Sequence, residues 1–401
     1  MRTVRFHPVA VLVAALLFVA TATTGTATPQ EGLAIVHGPY LQQLTESSVM
    51  IVWLTNEPAV SWVEYGDGSN LRSFPTYGSV VRTARPSHHG LIDADATLHR
   101  VLLEELEPGQ QVRYRVFSKQ VVALQPYEVT FGDSVVSDVY SFTTLDPAKE
   151  AFSFVAVSDI HEDAARLDAK LQAIDWDAVD LVFYNGDSID YYDDDAQIFD
   201  GFLDVSVEDF ASETPLIEVR GNHETRGKYA RRFYDLFPTT SGEFYFSFDH
   251  GPVHFVVLDS GEDKEDDHPV YAGLVDFDAY RQEQAAWLAE DLAGAAAQRA
   301  TFVVALFHIP PYGSGDAHGT LHVREMWNEI LNEAGVDLVI NGHTHRFARL
   351  DPQDGEHDYP IVITGRESTA RVDVSAQELR VIVTDEEGAV VDSFSVAARS
   401  R

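Results

Sequence analysis

The sequence predicts an all-β sandwich followed by an α/β domain, and three observations carry that prediction. From about Ile35 to Thr144 the chain is written only in short strand-like runs and turns. After Asp146-Pro147, strand-like runs alternate with helical segments such as Asp163 to Ile174, Arg281 to Leu292 and Val323 to Ala334. Five of the later strand-like runs end in Asp, Asn or His, the residue types that bind metals.

The elements follow in order. Arg2 and Arg5 open the chain, Val9 to Ala20 is an apolar run, and small residues follow, so residues 1–27 are expected to be a secretory signal peptide. That apolar run is shorter than the ~18 residues of a spanning helix, and no later stretch reaches that length. The sandwich is expected over 33–146. Within it Val49 to Leu54 and Val60 to Tyr65 read as strands broken by Asn56-Glu57-Pro58. Val112, Tyr114 and Val116 share one face of a third strand, which follows the turn signal Glu107-Pro108-Gly109. Trp53 and Trp62 are expected in the sandwich core. The α/β domain is expected over 150–398, closing with the strands Arg380 to Thr384 and Val390 to Val396 around Glu386-Glu387-Gly388.

The composition narrows the function. The 401 residues suffice for two or three domains, and 45% hydrophobic content supplies their cores. Without cysteine there are no disulfides, no lipid-anchored thiol and no thiolate ligand, so any metal must sit on oxygen and nitrogen. A net charge of −36, with five lysines against 64 acidic residues, argues against binding a nucleic-acid duplex or an anionic membrane. Either a saline habitat or a solubility-driven surface accounts for such acidity.

The chemistry lies in five segments: Asp159-Ile160-His161, Gly186-Asp187, Gly221-Asn222-His223-Glu224, His308, and Gly342-His343-Thr344-His345. Each follows a strand-like run: Phe154 to Ser158, Leu181 to Asn185, Leu216 to Arg220, Phe302 to Phe307, and Leu338 to Asn341. Asp159 and His161 are one residue apart, so both can reach one ion where a strand opens into a loop. His343 and His345 repeat the spacing, with Gly342 expected to allow a tight turn. Asn222 is a neutral oxygen donor, which limits negative charge where an anion must bind. This mixture of donors suits Mn, Fe, Co or Zn better than Mg or Ca.

In that order the segments resemble the calcineurin-like metallophosphoesterases over about Phe152 to Gly365. The resemblance implies two mixed β-sheets packed face to face, helices outside, and two divalent metal ions. Asp159, His161 and His345 would hold the first ion, Asn222, His308 and His343 the second, and Asp187 would bridge them. His223 would contact the phosphoryl group and assist the leaving group, with Glu224 orienting its imidazole. A metal-bound hydroxide would attack a small phosphate ester.

The sandwich, with His37-Gly38-Pro39-Tyr40-Leu41-Gln42 and Ser61-Trp62-Val63-Glu64-Tyr65-Gly66, resembles the fibronectin type III-like domain of purple acid phosphatases. Those enzymes place a metal-bound tyrosine four residues after the glycine of the second segment. Here that slot holds Asp190, Tyr191 falls one position late, and His161 is a ligand the purple enzymes lack. A histidine-ligated first site without tyrosinate colour is therefore expected.

Other candidates are Arg220, Arg226, Lys228, Arg231 and Arg232, which either draw an anion inward or form a solvated face paired with acids. His318 and His322 are expected on a mobile loop near His308, with His318 a substrate contact. His88 and His89 are read as outside the site. The sequence thus points to a secreted, extracellular or periplasmic, phosphomonoesterase. A phosphodiesterase or nucleotidase would share the centre, and an inactive surface-binding protein would lack a ligand. Oligomeric state is not written in the sequence.

Overall fold

The computed structural model describes residues 32–67 and 82–398; the expected signal segment lies outside the described residues. The described residues from Leu33 onward form one compact unit.

Its first part is a seven-stranded β-structure built around one long strand, Val49–Asp67. The first half of that strand pairs with Ile35–Gln42 and Ala96–Leu103, the second with Arg82–Ala84 and Gln111–Gln125. The expected break at Asn56-Glu57-Pro58 is a register shift between Leu54 and Ala59 within a continuous strand. Both halves contribute to one core of Ile51, Trp53, Val63, Val101, Tyr114 and Val116. Val112, Tyr114 and Val116 point inward as the alternation requires. Trp62 does not join Trp53. Alternation sends Ser61 and Val63 inward, and Trp62 stacks on Phe117 outside, with ring centroids 5.3 Å apart.

Two six-stranded mixed sheets make the second part. In one, Phe152–Val157, Leu181–Tyr184 and Leu216–Glu218 run parallel, extended by antiparallel Ser368–Val374, Glu378–Asp385 and Val390–Ala397. In the other, Val253–Val257, Phe302–Leu306, Leu338–Asn341 and Ile361–Ile363 run parallel, flanked by antiparallel Phe246–His250 and Ala348–Leu350. The sheets face each other across Phe154, Ala156, Phe183, Phe255, Val304, Leu306 and Ile340. Strands buried on both faces read as continuous apolar runs, which is why they were legible in the sequence.

Helices cover the outer faces. Ala164–Leu171 is capped by Asp163, whose side chain accepts from the Arg166 N–H, and buries Leu167 and Leu171 on the first sheet. Phe277–Ala293 and His318–Ala334 bury Leu288, Leu292, Val323, Trp327 and Leu331 on the second. Among the described residues no helix is long and apolar enough to cross a membrane.

Candidate metal centre

All five segments leave the carboxyl ends of parallel strands, three from the first sheet and two from the second, where open α/β sheets place their ligands. The loops are held in unusual conformations. Asp159, His161, Glu162, Asp187, His343 and His345 all have φ between 50° and 74°, a region that costs a non-glycine residue roughly 1–2 kcal/mol. A ladder fixes the first two loops: the N–H groups of Asp159, His161 and Glu162 donate to the carbonyls of Gly186, Asp187 and Ser188, each at 3.0 Å. Strain kept in place by surrounding bonds belongs to a working site.

The glycines serve close approach. A Cβ on Gly186 would lie 2.4 Å from His308 Nδ1, and one on Gly342 would lie 2.7 Å from the Ser158 Cβ. Gly342 is therefore required by packing against Ser158, rather than by the turn that its sequence suggests.

The structure brings the seven expected ligands together. Donor atoms of Asp159, His161, Asp187 and His345 lie within 4.8 Å of one another, as do those of Asp187, His308 and His343. Asn222 joins the second group, with Oδ1 3.1 Å from His343 Nδ1. Asp187 belongs to both. Its Oδ1 accepts from the His223 N–H at 3.0 Å, and its Oδ2 lies 2.9 Å from His308 Nε2.

These residues fit cations. Asp159 Oδ1 is buried without a hydrogen-bond partner, and the fully buried His308 Nε2 faces only the Asp187 carboxylate, at 2.9 Å. His308 Nδ1 donates to the Asn185 carbonyl at 2.8 Å, which turns Nε2 inward. His161 Nδ1 faces Asp190 Oδ1 at 2.7 Å, and its Nε2 faces His345 Nε2 at 3.0 Å. With Nδ1 committed to Asp190, His161 Nε2 presents its lone pair towards His345, the orientation a metal-ligating imidazole takes.

Burial raises the Asp159 carboxyl to about 7, with His308 opposing and Asp187 adding to the rise. Burial disfavours charge on His308, but Asp187 and Asp159 lift it to about 10. Burial, with His308, pushes His343 down to about 4. Burial opposes ionisation of Asp187, yet His308 and His223 hold its carboxyl well below the usual range.

Several expectations change. Glu224 does not touch His223. Its buried carboxylate accepts the backbone N–H groups of Asp187, Ser188, Ile189 and Gly221 at 2.7–3.2 Å, fixing the loop that carries Asp187. His223 is oriented instead by Nδ1, which donates to the Asp190 carbonyl at 2.8 Å. Asp190 thus serves both histidines, a role that its place in the tyrosine slot does not reveal. Tyr191 is 49% exposed.

His318 opens a 17-residue helix instead of lying on a mobile loop, and its Nε2 lies 2.7 Å from Asp278. His322 joins that carboxylate at 3.2 Å. Arg281 already donates to Asp278 at 2.8 Å, so a guanidinium fills this second His–Asp cluster. His88 pairs with Asp93 at 3.3 Å on an exposed hairpin. Of the five basic residues around the third segment, Arg220 is locked onto Asp259 at 2.5 Å and Phe244, while Lys228 and Arg232 lie over Tyr229. Arg226 alone turns to His223, with Nη1 3.0 Å from Nε2.

Two packed mixed sheets, with two donor groups sharing one aspartate at their carboxyl ends, define a candidate dinuclear metal centre of the phosphoesterase kind. Residues 152–347 match the calcineurin-like phosphoesterase family, and residues 38–144 match the N-terminal domain of purple acid phosphatases. The chain belongs to the calcineurin-like metallophosphoesterases and carries the purple acid phosphatase type of N-terminal domain.

It is 31% identical over 244 residues to purple acid phosphatase 22 of Arabidopsis thaliana, which covers 56% of this chain and 52% of that protein. The chain thus spans about half the length of that relative. Acid phosphatase type 7 of Mus musculus is 27% identical over 349 residues, covering 78% of this chain and 70% of its own. A purple acid phosphatase from yellow lupin (Lupinus luteus) seeds shares the fold, with a TM-score of 0.67 at 16% identity over 90% of this chain and 74% of that one.

Proposed function

We propose that the chain is a secreted hydrolase of phosphate monoesters, with a sandwich over 33–146 and a catalytic domain over 150–398. The observation that carries this reading is Asp187, a single carboxylate common to two separate donor groups. Asp159, His161 and His345 would hold one ion, and Asn222, His308 and His343 the other. Two bound divalent ions would supply a nucleophile at neutral pH and charge for the developing oxyanion.

The protein's own residues do the rest. Asp187 supplies negative charge between the two donor groups, which offsets repulsion between two cations. Glu224 and the backbone ladder keep the loops in place, so little reorganisation is needed when substrate binds. His223, on the rim, would touch the phosphoryl group, and once protonated at Nε2, which parts it from Arg226 Nη1, it could pass that proton to the leaving oxygen. Asp190 holds the imidazoles of His161 and His223.

The experiment is a rate comparison of mono- and bis-p-nitrophenyl phosphate after separate reconstitution with Mn, Fe, Co and Zn. Dominant monoester turnover is expected, and dominant diester turnover would sink the preference. A double variant, Asn222→Ala with His223→Ala, is expected to lose aryl phosphate hydrolysis. Wild-type rates from it would end the enzyme reading. The iron form should lack a tyrosinate charge-transfer band.

A further inference from the structure

Arg226 stands at the rim of the centre in a built setting. Nε donates to Glu262 Oε1 at 2.9 Å and Nη2 to Oε2 at 2.8 Å, so the two planar groups are paired fork to fork. Glu262 is 1% exposed and accepts two more hydrogen bonds, from Tyr271 Oη at 3.0 Å and Thr225 Oγ1 at 3.2 Å. Its backbone carbonyl is taken by the buried Arg281. One edge of the Arg226 guanidinium is thus fixed by residues from three segments.

The other edge faces the site. His223 Nδ1 donates to the Asp190 carbonyl, so Nε2 carries the lone pair and accepts from Arg226 Nη1 at 3.0 Å. Nη1 carries a second N–H, with no protein acceptor among the described residues. The side chain is 32% exposed, open enough to meet a ligand. Other carboxylates stand near it: Asp263 lies 3.8 Å from Nη2, and Asp187 and Asp190 flank His223. An anionic substrate approaching a chain of net charge −36 needs a fixed positive group of the protein's own.

We propose that Arg226 binds a non-bridging phosphoryl oxygen beside His223, and that this contact makes the site select dianionic monoesters over monoanionic diesters. The proposal rests on the phosphoesterase reading above. Glu262 and Tyr271 act as positioning residues, aiming the guanidinium without touching substrate. A monoester carries two charges at neutral pH and a diester one, so losing a preorganised cation costs the monoester more. A purely structural Arg226 would serve only to neutralise Glu262, and its loss would lower stability without changing substrate choice.

Arg226→Gln and Arg226→Lys in the metal-loaded full chain separate these roles. Steady-state kinetics with both nitrophenyl esters, calorimetric binding of inorganic phosphate and metal content per chain are the readouts. Arg226→Gln is expected to raise the monoester KM and weaken phosphate binding roughly 10- to 100-fold, the scale of a lost hydrogen bond to a charged group. Diester kcat/KM should change by less than about threefold, and Arg226→Lys should recover part of the loss.

Monoester KM and phosphate binding both within about twofold of wild type would overturn the proposal, as would equal losses on both esters. If Arg226→Gln fails to retain metal, Glu262→Gln is read in its place. It keeps the charge but loosens its grip, and it too must weaken phosphate binding for the proposal to stand. A wild-type chain that hydrolyses neither ester would defeat the phosphoesterase reading, while phosphate binding would still judge Arg226.

Discussion

The two donor groups that share Asp187 are built from similar residues but in different surroundings. His308 is fully buried, Asn222 is 2% exposed, and both sit where the two sheets meet. The group around Asp159 and His161 opens outward: His345 has 46% of its side chain exposed, and Asp190, which orients His161, has 55%. The inner group is anchored to backbone, through the bond of His308 to the Asn185 carbonyl. The outer group is anchored through a side chain in contact with water. The contrast leads to an expectation: the inner position should hold its ion firmly and the outer one should exchange it, because His345 and Asp190 are open to water while His308 and Asn222 are not.

The harshest test removes what the halves share. Asp187→Ala should cost roughly 10³-fold or more in kcat and leave neither ion in place, measured by activity and metal analysis together. Retention of both ions would show that the halves are independent. Next, His308→Ala should lose its ion and also destabilise the fold, by about 2–4 kcal/mol in denaturant melts, because it leaves a cavity against Asp187. His345→Ala should lose activity but keep its stability within about 0.5 kcal/mol, and excess metal should restore part of the rate. In the wild type, dialysis against a chelator should release metal in two phases, and a single phase would erase the distinction.

Asp190→Asn should weaken outer-site affinity by roughly 10- to 100-fold and leave the inner site unchanged, measured by metal titration. The last test lies away from the centre and controls for general damage. His254 sits between Asp249 at 2.6 Å and Asp291 at 2.9 Å. Burial opposes its charge, but the two carboxylates win and hold it at about 9. Its folded pKa is raised, so its contribution is fully present below about 6.5 and fades as pH rises through about 9. His254→Asn should flatten the fall in stability across that window, worth up to about 3 kcal/mol, without altering metal content.

Much of this was legible in the sequence, and the reasons are physical. A metal centre needs Asp, Asn and His at fixed places, and buried parallel strands announce themselves as apolar runs. What the sequence hid was pairing over distance. Glu224 is adjacent to His223 in the chain, yet a short helical turn points it at the Asp187 loop. Arg226 was one of five similar cations, and its choice depends on Glu262, 36 residues away. Trp62 was read as core because tryptophan is usually buried, whereas the strand's alternation had already assigned it outward. His318 follows a Gly-rich stretch that masks the start of its helix in the sequence.

The join between the two sequence-defined domains has its own consequence. Tyr40 Oη donates to the Leu236 carbonyl, Gln42 Nε2 to Leu216, and Tyr114 Oη to Ser212, all from the sandwich into the neighbouring domain. Tyr40 and Val52 complete the apolar cluster on the outer face of the first sheet, and His37 stacks on Phe199 at 3.9 Å. The sandwich therefore does the work that a helix layer does elsewhere in the molecule. Calorimetry should show one heat-absorption peak for the whole chain. Cutting at residues 145–151 should yield an aggregating fragment, not a smaller enzyme: the boundary seen by sequence comparison is not one along which the molecule comes apart.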